Sequence, residues 1–237
     1  MTIFTDNRLL RTGLIGGTLS RHRGNMREIA AQNNIYKELD INPERILHFH
    51  QTHSDTLVAI RSDEDAHRVQ KAPIQDADAW LLTAPGWGVA IQTADCVPLF
   101  LFDDKGSVCA LAHCGWRGVI SRLPFKTAQA VLSAHPEGQV VGWLGPHIHV
   151  CCFEVQEDVA AQFSPTSLHR ENGKIFVNLN LEILKQLEEA GLNPLLVKTP
   201  YHCTCCDPEN FFSWRRDHVR QNLLSFIYKP QSEKMLQ

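Results

Sequence analysis

Between residues 79 and 112 the apolar positions fall in four short runs, at 79–82, 88–92, 97–102 and 108–112. Turn-forming stretches separate them, among them Pro85-Gly86 and Asp103-Asp104-Lys105-Gly106. Short apolar runs bounded by turn residues predict strands. Several are apolar at consecutive positions, the pattern of central strands whose two faces are covered by helices. Upstream, 45–52 and 55–61 read as β-rich segments either side of a turn at His53. Downstream, 139–144, 195–198, 211–214 and 223–228 complete the predicted β content.

The longer apolar period of a helix recurs at 26–39, at 118–134 with an interruption at Pro124, at 155–163 and at 179–190. Asp40-Ile41-Asn42-Pro43 ends the first of these, and Gly191 with Asn193-Pro194 ends the last. No repeat, low-complexity tract or linker interrupts the chain. The fold class expected is α/β (α+β): one domain over 1–230 with a mixed central β-sheet layered by helices, and a frayed tail at 231–237.

The chain has 237 residues, 43% hydrophobic and 21% charged, enough for one sizeable core. A formal net charge of -3 gives no electrostatic footprint for nucleic acid. No apolar run reaches the length of a membrane span. The first residues carry scattered arginines but no continuous apolar stretch, so no secretory signal is expected. The eight cysteines cluster rather than spread as a disulfide framework, which fits reduced thiols in the cytoplasm. The expected state is a monomer or weak homo-oligomer.

Chemistry concentrates around Thr93-Ala94-Asp95-Cys96, which precedes one predicted strand, and His113, which follows the next. With His53 at its turn, two imidazoles and a thiolate make a ligand set that suits zinc and leaves a fourth position for water or substrate. Two other readings stand beside it: Cys96 and His113 as buried core side chains, or Cys96 as a nucleophile with His113 as its base. Asp95 is a candidate to orient a metal ligand, and His50 a candidate proton carrier. Gly115-Trp116-Arg117-Gly118 reads as a glycine turn into a helix start. Its free N–H groups and the Arg117 fork would suit phosphate or a carboxylate; the alternative is a tight turn with a solvated arginine.

Other clusters are weaker. Gly16-Gly17-Thr18-Leu19-Ser20, followed by Arg21, Arg23 and Arg27, reads as a solvated loop, because neither the P-loop nor the dinucleotide spacing is present. His48-Phe49-His50 and His147-Ile148-His149 are His-x-His pairs, too few for a trinuclear copper centre, and the three methionines are poorly placed for axial ligation. His202-Cys203-Thr204-Cys205-Cys206 resembles half of a metal knuckle, with Cys151-Cys152 the only other dense pair; the alternative is a loop near the site. Arg215 and Arg216 alternate along a predicted strand, so one reaches the site and the other forms a surface pair.

Six blocks then occur in order: Gln51-x-His53; Asp78-Ala79; Thr93-Ala94-Asp95-Cys96-x-Pro98; Ala112-His113-x-Gly115-Trp116-Arg117-Gly118; Gly145-Pro146 with Cys152-x-Glu154-Val155; and Phe212-Ser213-x-Arg215-Arg216-Asp217. Together they resemble the YfiH-type laccase-domain family, also called the polyphenol oxidase-like or purine nucleoside phosphorylase family. The resemblance runs from about Gly16 to Tyr228. It implies a single α/β fold and a metal site, usually zinc and sometimes assigned copper, with His53, Cys96 and His113 as ligands by position. It also implies phosphorolysis of adenosine, inosine, guanosine and methylthioadenosine, and adenosine deamination, with nucleoside and phosphate as the small-molecule partners. Some members are described instead as amidases editing peptidoglycan precursors.

The chain departs from the family pattern at several positions. Leu14-Ile15 stands where an arginine usually precedes the Gly-Gly pair, Asn33-Asn34 replaces Asn-Arg, Ser54 replaces a glycine, and His147 and His149 replace small residues. If the absent arginines hold phosphate, adenosine deamination should survive better than phosphorolysis.

Overall fold

Each central strand is apolar at consecutive positions because each is covered twice, by a second sheet on one face and by helices on the other. In the computed structural model, which describes residues 3–72, 76–135 and 138–231, a six-stranded sheet runs in the order Val197–Lys198, Val140–Leu144, Val97–Asp103, Cys109–Cys114, Ala79–Leu82, Leu57–Ile60. A five-stranded sheet runs Ile3–Phe4, Ile15–Leu19, Leu223–Lys229, Trp87–Thr93, Ile46–His48. Both mix parallel and antiparallel pairs. A small antiparallel sheet of Glu154–Val155, Lys174–Val177 and Leu168–Glu171 stands apart.

The alternation of side chains along a strand divides the core into layers. Leu99, Leu101, Ala110 and Ala112 pack with Val131 of the Leu123–Ala134 helix and Ile183 of the Leu179–Glu189 helix. Their neighbours Phe100, Phe102 and Leu111 point the other way, against Val89, Ile91 and Ile227 of the five-stranded sheet. The far face of that second sheet, with Ala90, Leu224 and Phe226, is closed by Ile35 and Tyr36 of the Ile29–Glu38 helix. The chain is thus a mixed α/β domain of four layers, helix, sheet, sheet, helix, where sequence periodicity had suggested helices on both faces of one sheet.

Several element boundaries differ from expectation for identifiable reasons. The Gly16-Gly17 segment is a buried strand rather than a solvated loop. A Cβ at Gly16 would stand 2.5 Å from the Phe226 carbonyl oxygen, and one at Gly17 2.4 Å from that of Phe4. The glycines therefore serve close strand approach. Pro124 does not interrupt a helix; it lies in the first turn of Leu123–Ala134, after a break at Arg122 with φ of 66°. The segment predicted as a strand at 211–214 instead leads into a short helix, Trp214–Asp217, capped by the Ser213 hydroxyl accepting the Arg216 N–H at 3.2 Å. Of the helix predicted at 155–163 only Glu157–Ala160 is helical. The expected tail falls outside the described residues from 232 onward, and among the described residues no helix is long and apolar enough to cross a membrane.

Phe100 is fully buried between the two sheets. Replacing it with alanine should lower unfolding stability by about 3–5 kcal/mol, the usual result of truncating a buried aromatic, and urea denaturation measures it.

Candidate metal centre

Strand register brings the candidate ligands together. Ala79 pairs with Ala112, and Pro98 with His113, across three adjacent strands of the six-stranded sheet. Asp78, His113 and Cys96 therefore meet at one end of that sheet. A slip of one residue would turn His113 to the opposite face. His53 arrives from the turn before Leu57–Ile60 with φ of 60°. Gln51 holds that turn to the other sheet: its side chain donates to the Gln92 carbonyl at 2.8 Å and accepts the Gln92 N–H at 2.7 Å.

Asp78 organises the site. Its carboxylate accepts from the backbone N–H groups of Thr52, His53 and Ser54, at 3.2, 3.1 and 2.6 Å, and from the Ser54 hydroxyl at 2.8 Å. The same carboxylate bonds His113 Nδ1 at 2.8 Å. One buried group thus sets both the His53 turn and the orientation of His113, leaving His113 Nε2 as its available donor atom. Asp78 belongs to a sequence block noted above, yet nothing in composition or period marked it as the ligand-orienting carboxylate. A lone acid immediately before a fully apolar strand was the signal available.

One donor atom from each of His53, Cys96 and His113 lies within 4.8 Å of the others. His53 Nε2 stands 3.8 Å from Cys96 Sγ; on a tetrahedral zinc with bonds of about 2.1 and 2.3 Å the two atoms would be about 3.6 Å apart. The residues present fit a metal. Electrostatics agree with that fit. Burial opposes the Cys96 thiolate, but His113 and His53 outweigh it and bring the thiol down to about 6. Burial likewise opposes the charge on His113, and Cys96 with Asp78 raise it above the ordinary imidazole range. Burial also works against the Asp78 carboxylate, which the hydrogen bonds from His113 and Ser54 hold at about 2. Without metal the pocket is a thiolate facing a charged imidazole, and a cation can replace that proton. Gly115 leaves the necessary space: a Cβ there would lie 2.5 Å from His53 Cδ2 and 3.2 Å from Cys96 Sγ.

His53 and Cys96 sit where two cavities meet, and His113 borders the first of them. One, of about 520 Å³, is walled by polar groups including Arg27, His50, Gln92, Arg220 and Asn222. The other, of about 410 Å³, is walled by Trp116, Phe153, Leu179, Arg117 and Arg215. Trp214, His53 and Cys96 border both. Arg117 is exposed and lies over the Trp116 ring at 4.3 Å, at the edge of the smaller cavity. The expected anion cradle at the helix start is less developed than its sequence suggested: Trp116–Ile120 has five residues, and the Gly115 N–H already bonds the His113 carbonyl.

Other candidates fall differently. Asp95, buried with φ of 89°, accepts from the Thr204 hydroxyl at 2.6 Å and the Arg215 N–H at 2.7 Å. Its carboxylate anchors neighbouring loops, and the hydrogen bond to a ligand histidine comes from Asp78. Arg215 borders the smaller cavity, whereas Arg216 pairs with Asp217 and caps carbonyls of Thr204, Cys205 and Phe211. His50 borders the larger cavity and bonds Asp76 at 2.8 Å. Among the described residues, His48, His50, His147 and His149 join no cluster of three or more potential ligands. Leu14, Ile15, Asn33 and Asn34 border neither cavity.

Stacked mixed sheets carrying a thiolate–imidazole cluster at one sheet end define an α/β protein with a metal-type site. The chain belongs to the family described as multi-copper polyphenol oxidoreductase laccase, matched over residues 17–229. It is 30% identical over 190 residues to a purine nucleoside phosphorylase of Clostridium acetobutylicum, covering 76% of this chain and 75% of that protein. A purine nucleoside phosphorylase of Aquifex aeolicus is 31% identical over 179 residues, covering 75% and 79%. Adenosine deaminase RL5, of an unknown prokaryotic organism, is 26% identical over 202 residues, covering 81% and 77%. The crystal structure of YlmD from Geobacillus stearothermophilus superposes with a TM-score of 0.83 at 21% identity, over 93% of both chains. That likeness shows the shared fold, and the relatives' names support an enzyme of this family.

Two measurements check the centre. Asp78→Asn keeps the size of the side chain but loses the charge that orients His113, so metal affinity should fall about 10–100-fold, read by competition with a chromogenic chelator. In chelator-treated protein, Cys96 should alkylate readily at pH 7 and slow as pH falls through about 6. In His113→Ala the burial penalty remains and the cation is lost, so the inflection should move to higher pH. An unchanged inflection would contradict the pairing.

Proposed function

We propose that this chain is a purine nucleoside enzyme working at a zinc held by His53, Cys96 and His113, deaminating adenosine and phosphorolysing adenosine, inosine, guanosine and methylthioadenosine. The observation that carries this reading is the position of the cluster at the junction of two cavities, each bordered by two arginines. The names of the relatives supply the substrate class.

Zinc, when bound, supplies Lewis acidity and lets water react as a nucleophile at neutral pH. The rest falls to the chain. Asp78 fixes the His113 tautomer, and Gln51 holds the His53 turn, so both imidazoles are in place before substrate arrives. In the polar cavity Gln92 and Asn222 offer donors and acceptors to a purine edge, and Trp214 offers a face for its ring. His50, paired with Asp76, carries a proton at that wall. Arg117 and Arg215 hold phosphate at the other, where a bidentate fork suits its oxygens. The positions whose arginines are absent border neither cavity, so the expected weakness of phosphorolysis loses its motive and both reactions are proposed.

The succession Asp78–His113–Cys96 favours a second reading, in which Cys96 is the nucleophile of a metal-independent amidase. Zinc analysis of protein purified without added metal separates the two. On the nucleoside reading, adenosine gives inosine without phosphate, and free base with ribose-1-phosphate only when phosphate is supplied. Arg117→Lys should reduce phosphorolysis by about tenfold or more while sparing deamination. Neither product, together with amino-acid release from a peptidoglycan precursor by zinc-free protein, would establish the amidase instead.

A further inference from the structure

Away from the site just described, Cys151, Cys152, Cys203 and Cys206 converge so that all four sulfurs lie within 4.8 Å of one another. Two of the separations are 3.6 Å, Cys151 to Cys206, and 3.3 Å, Cys152 to Cys206. Four thiolates on a tetrahedral zinc, with bonds of about 2.3 Å, stand about 3.8 Å apart. A disulfide would need about 2.05 Å, and all eight cysteines are free.

The backbone is shaped for such a site. Cys203-Thr204-Cys205-Cys206 is a Cys-x-x-Cys turn closed by the Cys206 and Asp207 N–H groups on the Cys203 carbonyl, both at 3.1 Å. Opposite it, Cys151-Cys152 sits on a turn closed by the Cys152 and Phe153 N–H groups on the His149 carbonyl, at 3.0 and 2.9 Å. The two turns are joined by the Thr204 N–H on the His147 carbonyl at 3.0 Å, and the His149 N–H reaches Cys203 Sγ at 3.4 Å. Cys205 is not one of the four and packs against the apolar core, with its side chain beside Cys152. Two arginines brace these turns through backbone carbonyls. Arg215 donates to the Cys152 carbonyl at 3.0 Å, and Arg216 to those of Thr204 and Cys205 at 2.8 and 3.1 Å.

We propose that Cys151, Cys152, Cys203 and Cys206 form a second, closed centre that binds Zn²⁺ through four thiolates and locks the 203–206 turn to the 151–152 turn. Binding releases the thiol protons to solvent and leaves sulfur oxidation unchanged. All four ligands come from protein, so the centre is structural rather than catalytic. Its consequence reaches the first site through Asp95, which holds Thr204 from this turn and lies beside Cys96.

The experiment is zinc analysis by inductively coupled plasma mass spectrometry on protein purified without chelator. The wild type should carry two equivalents per chain. Cys206→Ser and Cys151→Ser should each carry one, Cys96→Ala should also carry one, and Cys205→Ser should keep two. Cobalt-substituted Cys96→Ala should show the intense thiolate-to-metal absorption of a tetrahedral sulfur site, a band that Cys96→Ala/Cys206→Ser should lack. Cys151 and Cys206 are both exposed and lie on different turns, so Cys151→Ser gives the answer even if Cys206→Ser does not fold. Equal zinc in the wild type and Cys151→Ser would overturn the proposal, as would intact masses showing disulfides among these four residues. Equal zinc in the wild type and Cys96→Ala would count against the first site, whereas this centre is decided by Cys151→Ser.

Discussion

The Asp78 carboxylate is the constraint on which the candidate centre depends. It is taken out of water at the end of an apolar strand, where an unpaired charge would be very unfavourable. Its stability there comes from donors on two separate elements, the 52–54 turn and the last strand of the pair that carries His113. Satisfying one buried anion therefore forces two metal-type ligands into one orientation. Folding and site assembly are coupled, because the bonds to Asp78, with those of Gln51 to Gln92, hold the turn that carries the left-handed residue His53.

The layered sheets supply the rigidity this arrangement needs. Cys96 and His113 sit beside neighbouring strands whose register is fixed by apolar packing on both faces. The two contributors outside the sheets, the His53 turn and the Arg215 helix, are tied back by Gln51 and Asp95 respectively. The first joins a loop to a strand, the second a helix start to the loop that carries Cys96.

Much of this was legible in the chain. The strands at 79–82 and 97–102 and the long helix at 179–190 stand within a residue or so of the periodic expectation, because apolar runs between turn residues leave little freedom. That His53, Cys96 and His113 come together was legible from residue type and their place beside strands. Three things were hidden. Gly16-Gly17 carried no apolar signature, although close strand approach demanded glycine there. The second sheet could not be told from a helix layer, since a covered face looks the same in sequence whatever covers it. Phe211-Phe212 imitated a strand, when Ser213 was capping a helix. The role of Asp78 needed the third dimension, since its partners lie more than twenty residues away on both sides.

The strand Leu223–Lys229 lies between Ile15–Leu19 and Trp87–Thr93, hydrogen-bonded to both. During synthesis the ribosome delivers those two neighbours long before the strand that joins them. The five-stranded sheet therefore cannot close until residue 229 has left the exit tunnel, and Asn222 and Trp214 join the cavity wall only then. Until that moment the cover over the inner face of the six-stranded sheet lacks its middle strand and Ile227. A nascent chain of this protein carries His53, Cys96 and His113 early and the strand that completes the second sheet last, the order in which apolar β-surface stays exposed longest.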